Sequence, residues 1–198
     1  MEYLDNSLKK LGDNLKKELQ FGSNVQVCAS IFSMYGFHEL KKELAKIEQF
    51  HFVFTQPTFI TNITEKKTSK EFEINIAEKS INGSSFEVKL KNELTSKEIA
   101  KECVAWIKEK ATFKSNLTNR LITPFINLIK DNSENITYIG TNSFDTIGLG
   151  YKKDDTIFSP VNKITSKTNF NTTNNFFKSF NDIWEYKCEK SRKQYFLY

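Results

Sequence analysis

The chain has 198 residues, of which 38% are hydrophobic and 14% aromatic, and its formal net charge is +5 at pH 7. This length and composition can bury one substantial core and predict a single domain over residues 1–198. Three widely spaced cysteines argue against a disulfide framework or a cysteine metal cluster, and predict reduced thiols in the cytoplasm. No apolar run approaches the roughly 20 residues that a membrane span needs, so no membrane partner is expected.

The first quarter of the chain alternates helical and strand-like patterns. Leucines at helical spacing predict an amphipathic helix over residues 4–19. Residues 25–32 form an apolar, β-branched stretch that is typical of a buried parallel strand. Ser33 is placed to cap a second helix over residues 37–47, and residues 51–54 predict the next strand. This order indicates βαβ units in an α/β fold.

The middle of the chain predicts a hairpin and a third helix. Two strand-like segments, residues 72–76 and 86–90, are separated by an Asn-Gly turn. Thr95 and Glu98 then match a capping box ahead of a helix whose apolar face includes Cys103. This thiol is therefore expected in the core.

A second hairpin follows and contains most of the candidate chemistry. Short apolar runs at residues 121–129 and 136–139 flank a polar turn, and a glycine-bearing loop over residues 140–151 leaves the second run. Residues 152–175 are polar and without a clear period, which predicts a long surface loop. A final helix is expected over residues 176–184.

Common catalytic and cofactor-binding patterns are missing from the sequence. It has no phosphate-cradling glycine loop, no Cys-x-x-Cys pair and no Ser-x-Gly elbow, so common nucleotide-binding, zinc and hydrolase classes lose support and no cofactor is expected. Asp131, Glu134 and Asp145 flank the second hairpin, where solvated turn positions explain them better than a metal. His38 and His51 are expected on separate elements in structural roles.

A basic run precedes the second hairpin. It consists of Lys108, Lys110, Lys114 and Arg120. A solvated surface and contact with phosphate groups explain this run equally well.

Several separated blocks resemble a known family. Residues 139–144, Ile-Gly-Thr-Asn-Ser-Phe, followed by Gly-Leu-Gly at 148–150, resemble the closing half of the phospholipase D-type (HKD) motif. Further blocks resemble, in order, the amino-terminal phospholipase D-like domain of bacterial Swi/Snf-type DEAD/DEAH helicases, which are linked to restriction and mobile elements. These blocks are residues 8–19, 29–37, 52–59, 86–94 and 99–115. The resemblance implies a phospholipase D-like mixed sheet with helices on both faces.

The chain departs from this family at the catalytic positions. Active members carry a histidine, and a lysine two residues later, on the strand that corresponds here to residues 123–129. The resemblance places Thr123 and Phe125 at these positions. A threonine hydroxyl without an adjacent base is a poor nucleophile, and a phenyl ring cannot stabilise phosphate charge, so no catalytic residue is assigned.

The resemblance and the positive charge favour a non-catalytic module of a helicase or restriction-type system that binds the backbone of DNA. The predicted contact residues are Lys108, Lys114, Arg120, Asn142 and Ser143. Two alternatives stay open: an active phospholipase D-type endonuclease or phosphodiesterase with unusual residues, and a protein-interaction or dimerisation module. Because single-motif members of the family pair two copies and the related helicases continue into motor domains, a homodimer or a helicase motor domain or subunit is an expected partner.

Overall fold

The computed structural model describes residues 1–55, 93–116, 122–130, 134–153, 160–186 and 188–190. Within these residues the chain forms ten strands and four helices. The strands are β1 (Glu2–Leu4), β2 (Asn24–Ala29), β3 (Ile31–Phe32), β4 (Gln49–Phe54), β5 (Ala111–Asn116), β6 (Phe125–Ile129), β7 (Ile136–Ile139), β8 (Ser143–Phe144), β9 (Val161–Thr165) and β10 (Cys188–Lys190). The helices are α1 (Leu11–Glu18), α2 (Met34–Leu44), α3 (Glu93–Lys110) and α4 (Phe170–Tyr186).

Eight strands form one mixed sheet in the order β1-β9-β7-β6-β2-β4-β5-β10. Strands β2, β4 and β5 run parallel, whereas β6 is antiparallel to β2 and to β7. The short strands β3 and β8 form a separate parallel pair. The predicted α/β class and the β6–β7 hairpin are therefore confirmed.

Helices lie on both faces of the sheet, as expected. Alternate residues of β2 belong to different apolar clusters, since Val27 packs with α1, α2 and α3 whereas Cys28 packs with α4. We call these sides the first face and the second face. None of the helices in the described residues is long and apolar enough to cross a membrane.

Aromatic side chains fill the first face. The Phe32 ring lies 5.0 Å from Phe113 and 5.7 Å from Phe52, both edge to face, and 5.8 Å from the stacked ring of Phe144. Such pairs add about 0.5–1.5 kcal/mol each beyond the burial of their area. Because Phe32 and Phe144 come from β3 and β8, these contacts attach the small sheet to the large one.

The first helix is shorter than its leucine spacing predicts, because Leu4 lies in β1 and α1 begins only at Leu11. In the intervening loop, Asp5 Oδ1 accepts three consecutive backbone N–H groups at 2.9 Å, and Asn6 has a φ of 58°. An aspartate that bonds the nearby backbone competes with helix formation. Leu8, predicted on the apolar face, is consequently 90% exposed.

The predicted surface loop over residues 152–175 is also wrong. It contains β9, which pairs with β1 and β7 inside the sheet, and α4 begins at Phe170. Lys163 interrupts the apolar alternation that would identify this strand in the sequence. Its charged side chain is directed into the structure, and its ammonium donates to Glu18 at 2.7 Å. A lysine can occupy such a buried position because its aliphatic stem packs with apolar groups while its ammonium is paired.

Three smaller predictions have different outcomes. Ser33 caps α2 as predicted, because its Oγ accepts the Tyr35 N–H at 3.1 Å. Cys103 is buried in the core as predicted, and this burial raises its pKa to about 12. Thr95 does not begin α3, which starts two residues earlier at Glu93. The predicted hairpin over residues 72–90 lies outside the described residues.

A pair of leucines tests this packing. Leu11 is fully buried and Leu8 is exposed. We expect Leu11→Ala to lower the free energy of unfolding by about 2–5 kcal/mol, because it leaves a cavity. We expect Leu8→Ala to change it by less than about 0.5 kcal/mol. Chemical denaturation measures both values, and similar losses would contradict the loop between β1 and α1.

Candidate functional site

One edge of the sheet collects the ends of several strands. Cys28 near the end of β2 is opposite Phe125 at the start of β6, and Phe125 is opposite Ile139 at the end of β7. The ends of β4 and β5 lie beside that of β2. We call this side the carboxyl edge. In open α/β sheets, ligands bind beyond this end of the parallel strands.

The loop after β7 folds onto the carboxyl edge beside β2. It turns at Gly140, whose φ is 105° and where a Cβ atom would lie 2.5 Å from the Pro160 carbonyl oxygen. The Asn142 carbonyl then accepts the Ser30 N–H at 3.0 Å and the Ser30 hydroxyl at 2.7 Å. The loop that resembles the phospholipase D motif is therefore anchored directly after β2.

The buried carboxylate of Asp145 accepts hydrogen bonds from other residues of this loop. Asp145 is 5% exposed, and its Oδ1 accepts the Ser143 hydroxyl at 2.8 Å and the Gly148 N–H at 2.7 Å. Gly148 is needed there, because a Cβ atom would lie 2.2 Å from the Ser143 carbonyl oxygen. Ser143 and Asp145 thus bond within the loop, and Asn142 is its exposed side chain.

The carboxylates around the hairpin do not gather at one point. Glu134 lies before β7 and accepts the Lys167 N–H at 2.9 Å, whereas Asp145 lies beyond the other end of this strand. Asp131 lies outside the described residues. Across the described part of the chain, no group of three or more His, Cys, Asp or Glu side chains could hold a metal ion.

The positions matched to the catalytic histidine and lysine differ in burial. Thr123 is exposed just before β6. Phe125 is 2% exposed, and its ring lies 5.0 Å from Phe176 and 6.4 Å from Phe180 on α4. Phe125 is therefore a core residue of the second face.

The predicted basic contacts do not form one surface. Lys114 is 5% exposed, its Nζ lies 4.1 Å from the centre of the Trp184 ring, and it donates to the Trp184 carbonyl. Lys114 is thus a core cation and not a surface ligand. Lys108 is exposed near the end of α3, just before the start of β5. A strand of six residues spans about 20 Å, so Lys108 and Asn142 lie at opposite edges of the sheet. Arg120 lies outside the described residues.

The two histidines also lie apart. His51 lies on the second face, where its ring stacks on Trp184 at 4.5 Å. Burial, and after it the charge of Lys114, lowers the pKa of His51 below its ordinary value of 6.5. His38 lies on α2, on the other side of the sheet, and its Nδ1 is buried without a hydrogen-bond partner among the described residues.

Sequence reasoning missed a row of polar side chains on the second face. Asn127 Nδ2 donates to Gln26 Oε1 at 3.1 Å, and the Thr137 hydroxyl donates to Asn127 Oδ1 at 2.9 Å. We call Gln26, Asn127 and Thr137 the polar strip. The sequence indicates this strip by one amide side chain, Gln26 or Asn127, within each of two apolar runs. Buried amides need hydrogen-bond partners such as these.

A buried ion cluster was missed as well. The Glu18 carboxylate accepts hydrogen bonds from Lys130 and Lys163, and both lysines are 8% exposed. Burial alone would raise the pKa of Glu18, but the two hydrogen bonds outweigh it and the pKa is lowered. The cluster connects α1 to β9 and to the end of β6.

Comparison with known proteins gives no match, either to protein-family models or to curated protein sequences. The chemistry of the carboxyl edge therefore rests on its own groups. Thr123 and Asn142 are exposed and offer a hydroxyl and an amide group that can donate hydrogen bonds to an anion, whereas the Ser30 hydroxyl already donates to the Asn142 carbonyl. Asp145 is an acidic residue of this edge and is buried and bonded within the loop, and Asp5, which follows β1 where Leu4 pairs with Val161, accepts three backbone N–H groups there.

Two substitutions at Asp145 test the loop. We expect Asp145→Ala to lower the free energy of unfolding by about 1–3 kcal/mol, because it leaves the Gly148 N–H and the Ser143 hydroxyl without their acceptor. Asp145→Asn keeps an Oδ1 acceptor and should cost less than about 1 kcal/mol. Chemical denaturation of both variants measures the difference, and equal losses would show that the hydrogen bonds do not hold the loop.

Proposed function

We propose that this chain is a phospholipase D-like domain without catalytic activity, which binds the nucleic-acid backbone in a helicase or restriction-type system. The motif resemblance, the mixed sheet and the return of the Gly140 loop onto β2 support the family assignment. The partner that we propose for the module is a helicase motor domain or subunit, or a second copy of the chain.

The observation that carries the loss of activity is the burial of Phe125. Under the proposed alignment it occupies the lysine position, and its ring packs under α4. Cationic stabilisation of the transferred phosphate is then missing there, an effect typically worth a few kcal/mol. Thr123 has no base beside it among the described residues, since His51 stacks on Trp184 and His38 lies on α2.

Backbone binding is supported by the neutral donor groups of the carboxyl edge and by the net charge of the whole chain. Thr123 and Asn142 present neutral donors, and Asp5 and Asp145, the acidic residues placed there, accept hydrogen bonds from nearby backbone N–H groups. The formal net charge of +5 favours association with a polyanion. Neutral donors and lysines bind phosphate without reading base sequence.

Two variants, each of which replaces an asparagine by an aspartate, test the proposed DNA binding. Labelled single-stranded and duplex DNA should bind with an affinity whose logarithm falls with log salt, at a slope near −0.9 for each phosphate neutralised on the duplex. Asn142→Asp adds a negative charge at the carboxyl edge and should weaken binding by about 1 kcal/mol, or roughly fivefold. Asn175→Asp, on the exposed side of α4, should leave the affinity within about twofold.

Two results would contradict this proposal. Absence of binding to either DNA at low salt would favour the protein-interaction alternative. Equal weakening by both asparagine variants would show that binding depends on net charge and not on the carboxyl edge.

We also predict that the chain does not hydrolyse phosphodiesters. We expect no hydrolysis of bis-p-nitrophenyl phosphate or plasmid DNA, with or without a chelator, because Phe125 occupies the lysine position of the proposed alignment and Thr123 has no adjacent base among the described residues. A chelator-resistant activity that disappears in Thr123→Ala would show that the proposed alignment misplaces the lost site. An activity that Thr123→Ala leaves unchanged would instead identify a contaminating nuclease.

A further inference from the structure

Helix α4 alone covers the second face among the described helices. It packs Phe176, Phe180 and Ile183 against a small cluster around Cys28 and Val53. The first face, in contrast, is covered by three helices over a large aromatic core. The attachment of α4 therefore depends on fewer apolar contacts.

The last turn of α4 is held by two basic side chains. Both contact Trp184: the His51 ring stacks at 4.5 Å, and the Lys114 ammonium lies 4.1 Å from the centre of the indole ring. Lys114 also donates to the Trp184 carbonyl, which lies at the helix end that favours positive charge. The Lys114 ammonium and the His51 ring thus dock this turn.

The polar strip lies under the same helix and is bonded mainly within itself. Asn127 bonds to Gln26 and to Thr137, both within the sheet, whereas α4 contributes only the Asn181 amide oxygen, 3.3 Å from Gln26 Nε2. Water can replace that single long hydrogen bond. Exposing this strip therefore costs less than exposing an apolar face of the same area.

We propose that α4 is an acid-released cover, in which protonation of His51 beside Lys114 releases α4, beginning at its last turn, and exposes the polar strip, while the first-face core stays folded. The proposal concerns the fold alone and is independent of any nucleic-acid binding.

The charges around His51 explain why its protonation should weaken the attachment of α4. Lys114 faces it from β5, Gln26 faces it from β2 without a charge, and the α4 carboxylates Asp182 and Glu185 are exposed. A proton on His51 thus adds a second positive charge next to the first. Because burial and Lys114 lower the pKa of His51, its stabilising contribution is complete above pH 6.5 and is lost as the pH falls through the lower pKa of the folded state.

Amide hydrogen exchange of the full chain, corrected for intrinsic rates, tests the proposal at about pH 7.5 and about pH 5.5, on either side of the ordinary histidine pKa. In the wild type, exchange in α4 should rise severalfold at the lower pH while exchange in α2 stays constant. His51→Gln should abolish the rise. His38→Gln changes the chain's other histidine and should keep it.

A second measurement follows the protonation of His51 directly. The NMR titration of His51 should give a pKa below its ordinary value, and Lys114→Met should move it upward and reduce the rise in α4 exchange. The proposal is overturned if α4 and α2 lose protection together, if His51→Gln keeps the rise, or if the wild type shows none.

Discussion

The antiparallel pairing of β6 with both of its neighbours determines where every candidate site residue lies. Because β6 runs against β2, its first residues meet the last residues of β2 at the carboxyl edge. The β6–β7 turn then falls at the opposite edge, and the loop after β7 returns to the end of β2. A parallel β6 would place Thr123 at the other edge, far from the Gly140 loop.

The two faces of this sheet have different physical character. The first face is closed by aromatic packing, and its Glu18 carboxylate is paired with two buried lysines. The second face buries neutral polar groups and a lysine under a single helix. Dense apolar packing makes the first face costly to open, whereas satisfied polar groups make the second face tolerant of water. Any conformational change of the described fold should therefore begin at α4.

Sequence patterns predicted β2, β4, β6 and β7, whose residues are mostly apolar and buried. They missed β9, where a buried Lys163 interrupts the apolar pattern, and they extended the first helix through a loop held by Asp5. In both places a specific polar contact outweighs hydrophobic periodicity. Such contacts depend on a partner distant in sequence, or on a side chain that bonds its own backbone.

The sequence indicated the parts of the candidate site better than their arrangement. The hairpin and its glycine loop were predicted together, and they are adjacent in the structure. The basic residues before the hairpin were grouped by sequence distance, but Lys108 is exposed near the end of α3, whereas Lys114 lies within β5 and is buried in the core. A strand carries the chain from one edge of the sheet to the other within a few residues, so closeness in sequence cannot define a surface.

Phe125 links the packing of the second face to the proposed loss of catalysis. A side chain at this position points to the second face, where α4 places Phe176 and Phe180 over it. A lysine there would need an acceptor for its ammonium, as Lys114 has in the Trp184 carbonyl, and the phenyl rings over this position provide none. The aromatic contact and a phosphate-binding cation therefore exclude each other at one position. Under the proposed alignment, the docking of α4 in its observed place excludes a phosphate-binding lysine at position 125.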